Sequence, residues 1–313
     1  MKNNKFVLSS LALACAVVAT NANAAITLYE KDNMSFSSDG LVNVFYSNSS
    51  IDSTNAGGVQ SSRDQSRVRM GFLPNNIGFN FSNKVSDVKV EVRSSFWVSV
   101  NDSDNVRDAS PADLGTGSLI DVRQFYGKVS GDWGSVLIGK DFGLYNRENI
   151  MSDQLLLGFG QTSDFFGLVD GGNVSFGNIS TGYTYAFPKS QITYRSNLNN
   201  GFSVAIGLMD PNKMSAASSE DTPRIEAELK YAGKFGDDGT FRGWLSGVSQ
   251  SSEIAGVSQH QSGIGYGLSV GAAGFSLTAS GFESKGLGHV AGLDHIVGND
   301  DIKSDGFLLQ GAY

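Results

Sequence analysis

The chain has 313 residues, 31 Asp and Glu against 23 Lys and Arg, a formal net charge of -8, 39 glycines and only 5 prolines. An acidic balance of this kind makes the chain a poor candidate for nucleic-acid binding. The single cysteine, Cys15, excludes an intrachain disulfide framework and a thiolate metal site.

The first element is an export signal. Lys2 and Lys5 form a basic start, Phe6 to Ala19 is an apolar run, and Ala22-Asn23-Ala24 is a small-x-small cleavage site. The apolar run is below the roughly 20 residues of a spanning helix. The mature chain is therefore expected to begin at Ala25 with 289 residues, no cysteine and a charge of -10 (21 basic against 31 acidic residues). No later apolar stretch reaches helix-spanning length, so the chain is either soluble or crosses a membrane as strands.

After the signal the dominant period is two. Val88, Val90, Val92, Phe96, Val98 and Val100 share one face, and Lys89, Glu91, Arg93 and Ser95 the other, with Trp97 as an exception. Further along, Phe202, Val204, Ile206 and Leu208 alternate with Ser203, Ala205 and Gly207. Ile225, Ala227, Leu229 and Tyr231 alternate with Glu226, Glu228 and Lys230. Ile264, Tyr266, Leu268 and Val270 alternate with Gly265, Gly267 and Ser269, and Phe275, Leu277 and Ala279 with Ser276, Thr278 and Ser280. Strict alternation gives strands with one apolar and one polar face. In chain order the pattern predicts strands over 25–30, 33–48, 67–84 (bent near Pro74), 87–100, 119–130, 134–142, 190–197, 201–210, 223–233, 239–250, 259–271, 274–284 and 304–313.

Short turns at Asn199-Asn200-Gly201, Asp237-Asp238-Gly239 and Ala272-Ala273-Gly274 alternate with long polar connections at 49–62, 101–118, 209–222 and 283–304. One tight rim and one elaborated rim suit a membrane β-barrel, and the Gly- and Ser-rich polar faces carry both charge signs, as a wet lumen would. A soluble β-sandwich also alternates, but the regular hairpins, the length and the export signal favour the barrel. Thirteen is an odd count. It would put the chain ends on opposite rims and leave unpaired edges in hydrocarbon. The expectation is a fragment that three more strands would close into a barrel of sixteen, the alternative being a barrel that closes as it stands.

The segment from Phe142 to Pro188 does not alternate. It is Gly-rich, carries Glu148, Asp153, Asp164 and Asp170, and holds apolar clusters at Leu155-Leu156-Leu157 and Phe165-Phe166. A long loop with its own apolar clusters is more often functional than slack. It is expected to fold into the lumen over about 143–188 and pack on the wall.

The chain resembles the Gram-negative trimeric outer-membrane porins. The resemblance rests on Ala25-Ile26-Thr27-Leu28-Tyr29 after the cleavage site and on Ser66-Arg67-Val68-Arg69-Met70-Gly71-Phe72. It extends through the hairpin from Val122-Arg123-Gln124-Phe125-Tyr126-Gly127 to Trp133–Lys140, and through Ile192-Thr193-Tyr194-Arg195-Ser196 to Gly201-Phe202-Ser203. The end Ala312-Tyr313 departs from the family's closing aromatic strand, usually ended by Phe. The resemblance implies an all-β antiparallel transmembrane barrel of the 16-stranded type over 25–313. It implies an outer-membrane homotrimer among lipid and lipopolysaccharide, passing ions and small hydrophilic solutes by passive diffusion with no cofactor. Its third loop sets acids against a basic wall. Carried onto this chain, the acids are Glu148, Asp153, Asp164 and Asp170, and the basic side is Arg67, Arg69, Arg93 and Arg123. Parity alone also puts Arg93 on the polar face, and puts Arg67 and Arg69 together on one face. Arg123 and Lys140 stay ambiguous. Charges of opposite sign across a narrow pore set up a transverse field that favours polar solutes.

Two motif matches point elsewhere. Gly134–Asp141 nearly matches a phosphate-binding loop, but Asp141 stands where Ser or Thr should be and the segment reads as strand. Gly267-Leu268-Ser269-Val270-Gly271 matches a nucleophile elbow, with Asp294 and His295 in hydrolase order, but Ser269 reads as mid-strand. A barrel hydrolase using Ser269 is the enzymatic alternative, and a plugged structural or adhesive barrel is a third. His260, His289 and His295 read as loop residues, and Asn299-Asp300-Asp301 as at most a weak cation site.

Overall fold

The computed structural model describes residues 25–54, 57–70, 73, 75–98, 120–156, 178–179, 181–197, 199–287 and 302–313. Among these, the strands are β1 (Ile26–Lys31), β2 (Met34–Leu41), β3 (Val44–Thr54), β4 (Gln60–Met70), β5 (Asn75–Val85), β6 (Val88–Val98), β7 (Asp121–Gly131) and β8 (Gly134–Phe142). A short helix α1 (Arg147–Met151) follows, then β9 (Pro188–Asn197), β10 (Phe202–Met209), β11 (Arg224–Phe235), β12 (Gly239–Ile254), β13 (Val257–Ala272), β14 (Phe275–Lys285) and β15 (Lys303–Ala312). Thirteen strands form one antiparallel sheet in the order β1-β2-β5-β6-β7-β8-β9-β10-β11-β12-β13-β14-β15, and β3 and β4 pair apart from it. Segment 1–24, assigned above to the signal, lies outside the described residues, as do Asp294, His289, His295 and Asn299-Asp300-Asp301.

The alternating pattern is realised as a wall with two unlike faces. Ile192, Ile206, Ile225, Leu245, Ile264, Leu277 and Leu309 are exposed on one face, while Gln191, Thr193, Arg224, Glu226, Ser246 and Thr278 are buried on the other. Apolar exposure on this scale is stable only against acyl chains. Near the short-turn rim the outward face carries aromatic groups: Trp133 stacked on Tyr194 at 6.4 Å, Phe202 against Tyr231 at 4.7 Å, Tyr231 against Phe241 at 5.8 Å and Phe275 against Tyr313 at 4.4 Å. Such a girdle marks a membrane–water boundary.

Two of the strands read from sequence are each broken in two. The predicted strand 33–48 divides into β2 and β3, and 67–84 into β4 and β5. Asn43 causes the break: its backbone N–H donates to Asn75 Oδ1 at 2.7 Å, and its Nδ2 donates to the Leu73 carbonyl at 2.8 Å. These bonds clamp the chain where it leaves the wall to where it returns. The predicted loop 49–62 is accordingly mostly ribbon, with Thr54 opposite Gln60. Similarly, β12 and β13 run 16 residues each and meet at a tight turn, Ala255 (φ 52°) and Gly256 (φ 79°). About 54 Å of paired strand exceeds what a membrane crossing of roughly 9–11 residues needs, so this hairpin rises beyond the long-loop rim.

The described core lies inside the curve of the sheet. Trp97, Phe142, Ile150, Ile179, Tyr183, Tyr185, Ala186 and Phe282 form a buried cluster with Leu156 packed against it. It joins wall strands β6 and β14 to the loop that follows β8. A segment that touches strands so far apart in one sheet lies in the concavity of that sheet.

Candidate functional site

The segment that follows β8 leaves the wall at Gly143. The Glu226 carboxylate on β11 accepts the backbone N–H groups of Leu144 at 2.5 Å and Tyr145 at 2.8 Å on one oxygen, and Arg224 Nε at 2.6 Å on the other. Arg224 and Glu226 are each 1% exposed. Charge-assisted bonds to a buried carboxylate fix the root of the loop. The loop then lies along β13, whose inward residues Gly263 and Gly265 leave the space it fills, while the space at Gly267 is taken by Trp244 of β12. A Cβ at Gly265 would overlap Asn146, and one at Gly263 would stand 2.5 Å from the Tyr145 hydroxyl. The glycines on either side of Ile264 in the sequence are thus a groove for the loop.

Asn146 opens α1 in the left-handed region, φ 59°. Asn149 then donates Nδ2 to the Gly281 carbonyl at 3.1 Å and accepts Trp244 Nε1 at 2.8 Å. The Gln310 side chain donates to the Ser152 carbonyl. Four wall strands, β11, β12, β14 and β15, therefore hold the first 10 residues of the loop.

The charges fall into two groups. Glu148 accepts from Lys230 Nζ at 2.8 Å and lies 4.0 Å from Arg242 Nη1. Lys230 also lies 3.5 Å from Glu228, which pairs with Arg195 at 2.8 Å. Register explains that second contact: Ala205 stands between Arg195 and Glu228, and its small side chain leaves the path across β10 open. The chain Arg195–Glu228–Lys230–Glu148–Arg242 holds three cations and two carboxylates. Arg242 is 47% exposed, against 15% for Glu148 and none for Glu228. The wettest end is a guanidinium.

The second group lies on β2 and β5–β8. Arg93 donates to both oxygens of Asp39, at 2.7 and 3.1 Å, and to Asn80 and Gln124 at 2.6 and 2.8 Å. Arg123 is the extra residue of a bulge in β7: Ser95 pairs with Gln124 and Phe96 with Val122. The bulge turns it inward, 4.7 Å over Trp97, with bonds to Asp121 at 2.8 Å and the Tyr185 hydroxyl at 2.9 Å. Arg147 of α1 reaches back to Asp141 at 3.1 Å.

The residues named from sequence divide accordingly. Glu148 faces the wall cations Lys230 and Arg242, with which the sequence did not connect it. Arg93 and Arg123 are inward, each against a carboxylate of its own. Asp153 is buried inside the loop, accepting from Leu155 N, Asn178 N, Asn178 Nδ2 and the Tyr183 hydroxyl at 2.6–2.9 Å. It therefore ties the loop's two ends together. Arg67 and Arg69 are on β4, which pairs with β3 opposite Ser47 and Phe45 and not with the wall. Their side chains, and Asp164 and Asp170 entirely, lie outside the described residues. Lys140 pairs with the outward Phe125. Missed by sequence were Arg195, Lys230 and Arg242, although parity on β11 already set Lys230 beside Glu226 and Glu228.

The segment 134–141 is strand throughout, and Ser269 lies mid-β13 accepting the Thr278 hydroxyl at 2.9 Å. Among the described residues no three His, Cys, Asp or Glu side chains converge as metal ligands.

The sequence matches the family model of the Gram-negative porins over residues 10–313. No curated protein matches it significantly. Among solved structures it is similar to an anion-selective porin from Comamonas acidovorans, 16% identical, TM-score 0.56, covering 89% of this chain and 74% of that one. It is also similar to the outer-membrane channel DcaP of Acinetobacter baumannii, 12% identical, TM-score 0.55, covering 91% and 75%.

Proposed function

The chain belongs to the Gram-negative porin family and forms an outer-membrane channel for passive diffusion, and we propose that its constriction favours small anions. What supports this is the five-membered charge chain on the loop and β9–β12, with one surplus cation and its most exposed member Arg242. An overall negative charge argues the other way, but ions respond to charges within about a Debye length, roughly 8 Å in physiological salt, and the sum over this chain is one positive charge. The Comamonas neighbour is named for anion selectivity, which agrees with this reading.

The pore acts by lining and width. No bond is made or broken, and the fixed pairs cost no reorganisation as solute passes. Ser269, mid-strand and bonded to Thr278, gives no support to a hydrolase reading, so we take the protein to be non-enzymatic. Assembly as a homotrimer and contact with lipopolysaccharide are part of the same proposal, on family grounds, as are an export signal over 1–24 and a constriction loop over 143–188. In a planar bilayer under a tenfold KCl gradient the reversal potential should have the anionic sign. Arg242→Glu should move it roughly 10–20 mV toward the cation limit of about 59 mV. A cationic reversal potential in the unaltered protein ends the proposal. Channels should persist in Ser269→Ala, and their loss there would favour the hydrolase.

A further inference from the structure

The strand register sets a row of hydrogen-bond donors across the inner face of the wall at its short-turn end. Lys84 on β5 stands directly opposite Lys89 on β6, and Lys89 opposite Ser130 on β7. The row continues through Ser135 on β8 to Arg195 on β9. Parity puts these side chains inward. Lys84 lies four residues from Asn80, Lys89 four from Arg93 and Ser130 six from Gln124, and Arg93 donates to both Asn80 and Gln124 on the lumen side. Lys84 and Lys89 are exposed, and Ser130 and Ser135 are half-buried. On the next rung Glu91 stands opposite Lys128, accepting from it at 2.7 Å and from Lys89 at 2.9 Å. Two ammonium groups thus share one carboxylate, and the Lys84 ammonium has no ion-pair partner among the described residues. Asp87 and Asp132 lie in the turns, beyond the last rungs.

Two lysines directly opposed on a strand pair repel and lower the sheet's own stability, so the sheet is not the reason for them. Every member of the row is a donor: ammonium, ammonium, hydroxyl, hydroxyl, guanidinium. Neighbouring strands lie about 4.8 Å apart. Two opposed ammonium groups and the next hydroxyl therefore suit one tetrahedral anion, whose separate oxygens each accept a bond and whose second charge offsets the second lysine. Chloride, with one charge and no oxygens to place, gains less from the same three donors. Short turns mark the periplasmic side of such barrels. We propose that Lys84, Lys89 and Ser130 form a binding site at the periplasmic mouth for a divalent oxyanion, inorganic phosphate or a phosphomonoester. Ser135 and Arg195 continue the row from this site to the charge chain at the loop. The proposal rests on the channel reading and names a solute class for it, but its three binding residues lie outside the charge chain from which the ion preference was argued.

Channels in a planar bilayer in KCl are titrated with inorganic phosphate at about pH 8, where phosphate is mostly divalent. Bound phosphate should reduce the chloride current. Lys84→Gln or Lys89→Gln should raise the half-blocking concentration about fivefold, the worth of an exposed charge contact, and K84Q/K89Q about 25-fold. Lys234→Gln, which removes a cation near the same rim on β11, should leave it unchanged. An unchanged half-blocking concentration in K84Q/K89Q overturns the site, as does an equal rise in Lys234→Gln or the absence of block in the unaltered protein. Open channels from each variant in phosphate-free KCl verify the fold, and the single variants carry the test if the double variant does not insert. A cationic reversal potential in KCl with phosphate block intact would end the constriction proposal and leave this one standing, while an anionic potential without block would do the reverse.

Discussion

Two ion-pair systems touch the same loop and differ in one variable, water. Arg224–Glu226 is sealed, each partner 1% exposed, and its carboxylate also holds two loop amides. Arg195–Glu228–Lys230–Glu148–Arg242 is wet at its cations, which are 25%, 30% and 47% exposed, and drier at its carboxylates, at 0% and 15%. Both systems set basic side chains against glutamates. The sealed pair can only be architecture, because no solute reaches it. The wet end, Arg242, contributes little stability, because water screens it, and on the reading proposed above its charge is what a passing ion meets. Mutations should therefore separate into those that move the loop and those that move selectivity.

The largest effect is expected at the sealed pair. Glu226→Ala strands a buried guanidinium and leaves two backbone donors without their acceptor, a loss of about 3–5 kcal/mol. It should appear as a lower denaturation midpoint in detergent and as noisier open-channel current from a loosened loop. Replacing both partners, R224M/E226L, should restore much of the midpoint but not the quiet current, since the amides of Leu144 and Tyr145 still lack an acceptor. A double variant as noiseless as the unaltered channel would show that the carboxylate does not anchor the loop.

Next comes the groove that receives the loop. Gly265→Val puts side-chain volume where Asn146 lies. Overpacking of this kind costs about 1–3 kcal/mol. It should push α1 into the lumen and lower conductance, whereas Gly247→Ala, on the opposite face of the neighbouring strand, should not. Equal conductance in Gly265→Val and the unaltered protein would mean the loop does not rest on β13.

The wall was legible in the sequence because alternation is local: β9–β14 follow from residues two apart. The loop was legible as a failure of alternation. The break between β2 and β3 was not, because nothing near Asn43 announces that it bonds to Leu73 and Asn75 about 30 residues away. The same holds for the site. Parity placed Arg93 inward, but its carboxylate partner, Asp39, is 54 residues distant. Arg123 was ambiguous for a physical reason, since a bulge resets the parity of β7 at that residue. The glycines of β13 were visible as glycines, but only a loop lying on them gives them a purpose.

The wet chain should show the reverse of the sealed pair. Arg242→Glu should change the midpoint by less than about 1 kcal/mol, the worth of an exposed pair, while producing the selectivity shift described above. A large loss of stability with unchanged selectivity would erase the distinction between the two systems.

The smallest effect lies outside the membrane, and it carries the comparison to a loop held by a half-buried carboxylate. Glu220 accepts the hydroxyls of Ser252 at 2.6 Å and Ser218 at 2.7 Å, and Ser219 and Glu253 exchange two backbone bonds at 2.8 Å. Together these tie loop 210–223 to the extended end of β12. The Ser252 hydroxyl, more than any other group, holds the Glu220 carboxyl below its ordinary value of 4.5. A depressed folded pKa means that the tether is complete above about 4.5 and is lost as the pH falls through the lower folded value. Amide protection at Ser219 and Glu253 should therefore decline on acidification below about pH 4.5 more steeply than in Glu220→Gln, whose amide oxygen still accepts but does not titrate over this range. The two proteins share their other acids, Asp221 and Glu253 included, so the difference between their profiles reports Glu220 alone. Parallel profiles would show that the carboxylate contributes nothing to the tether that a neutral acceptor does not.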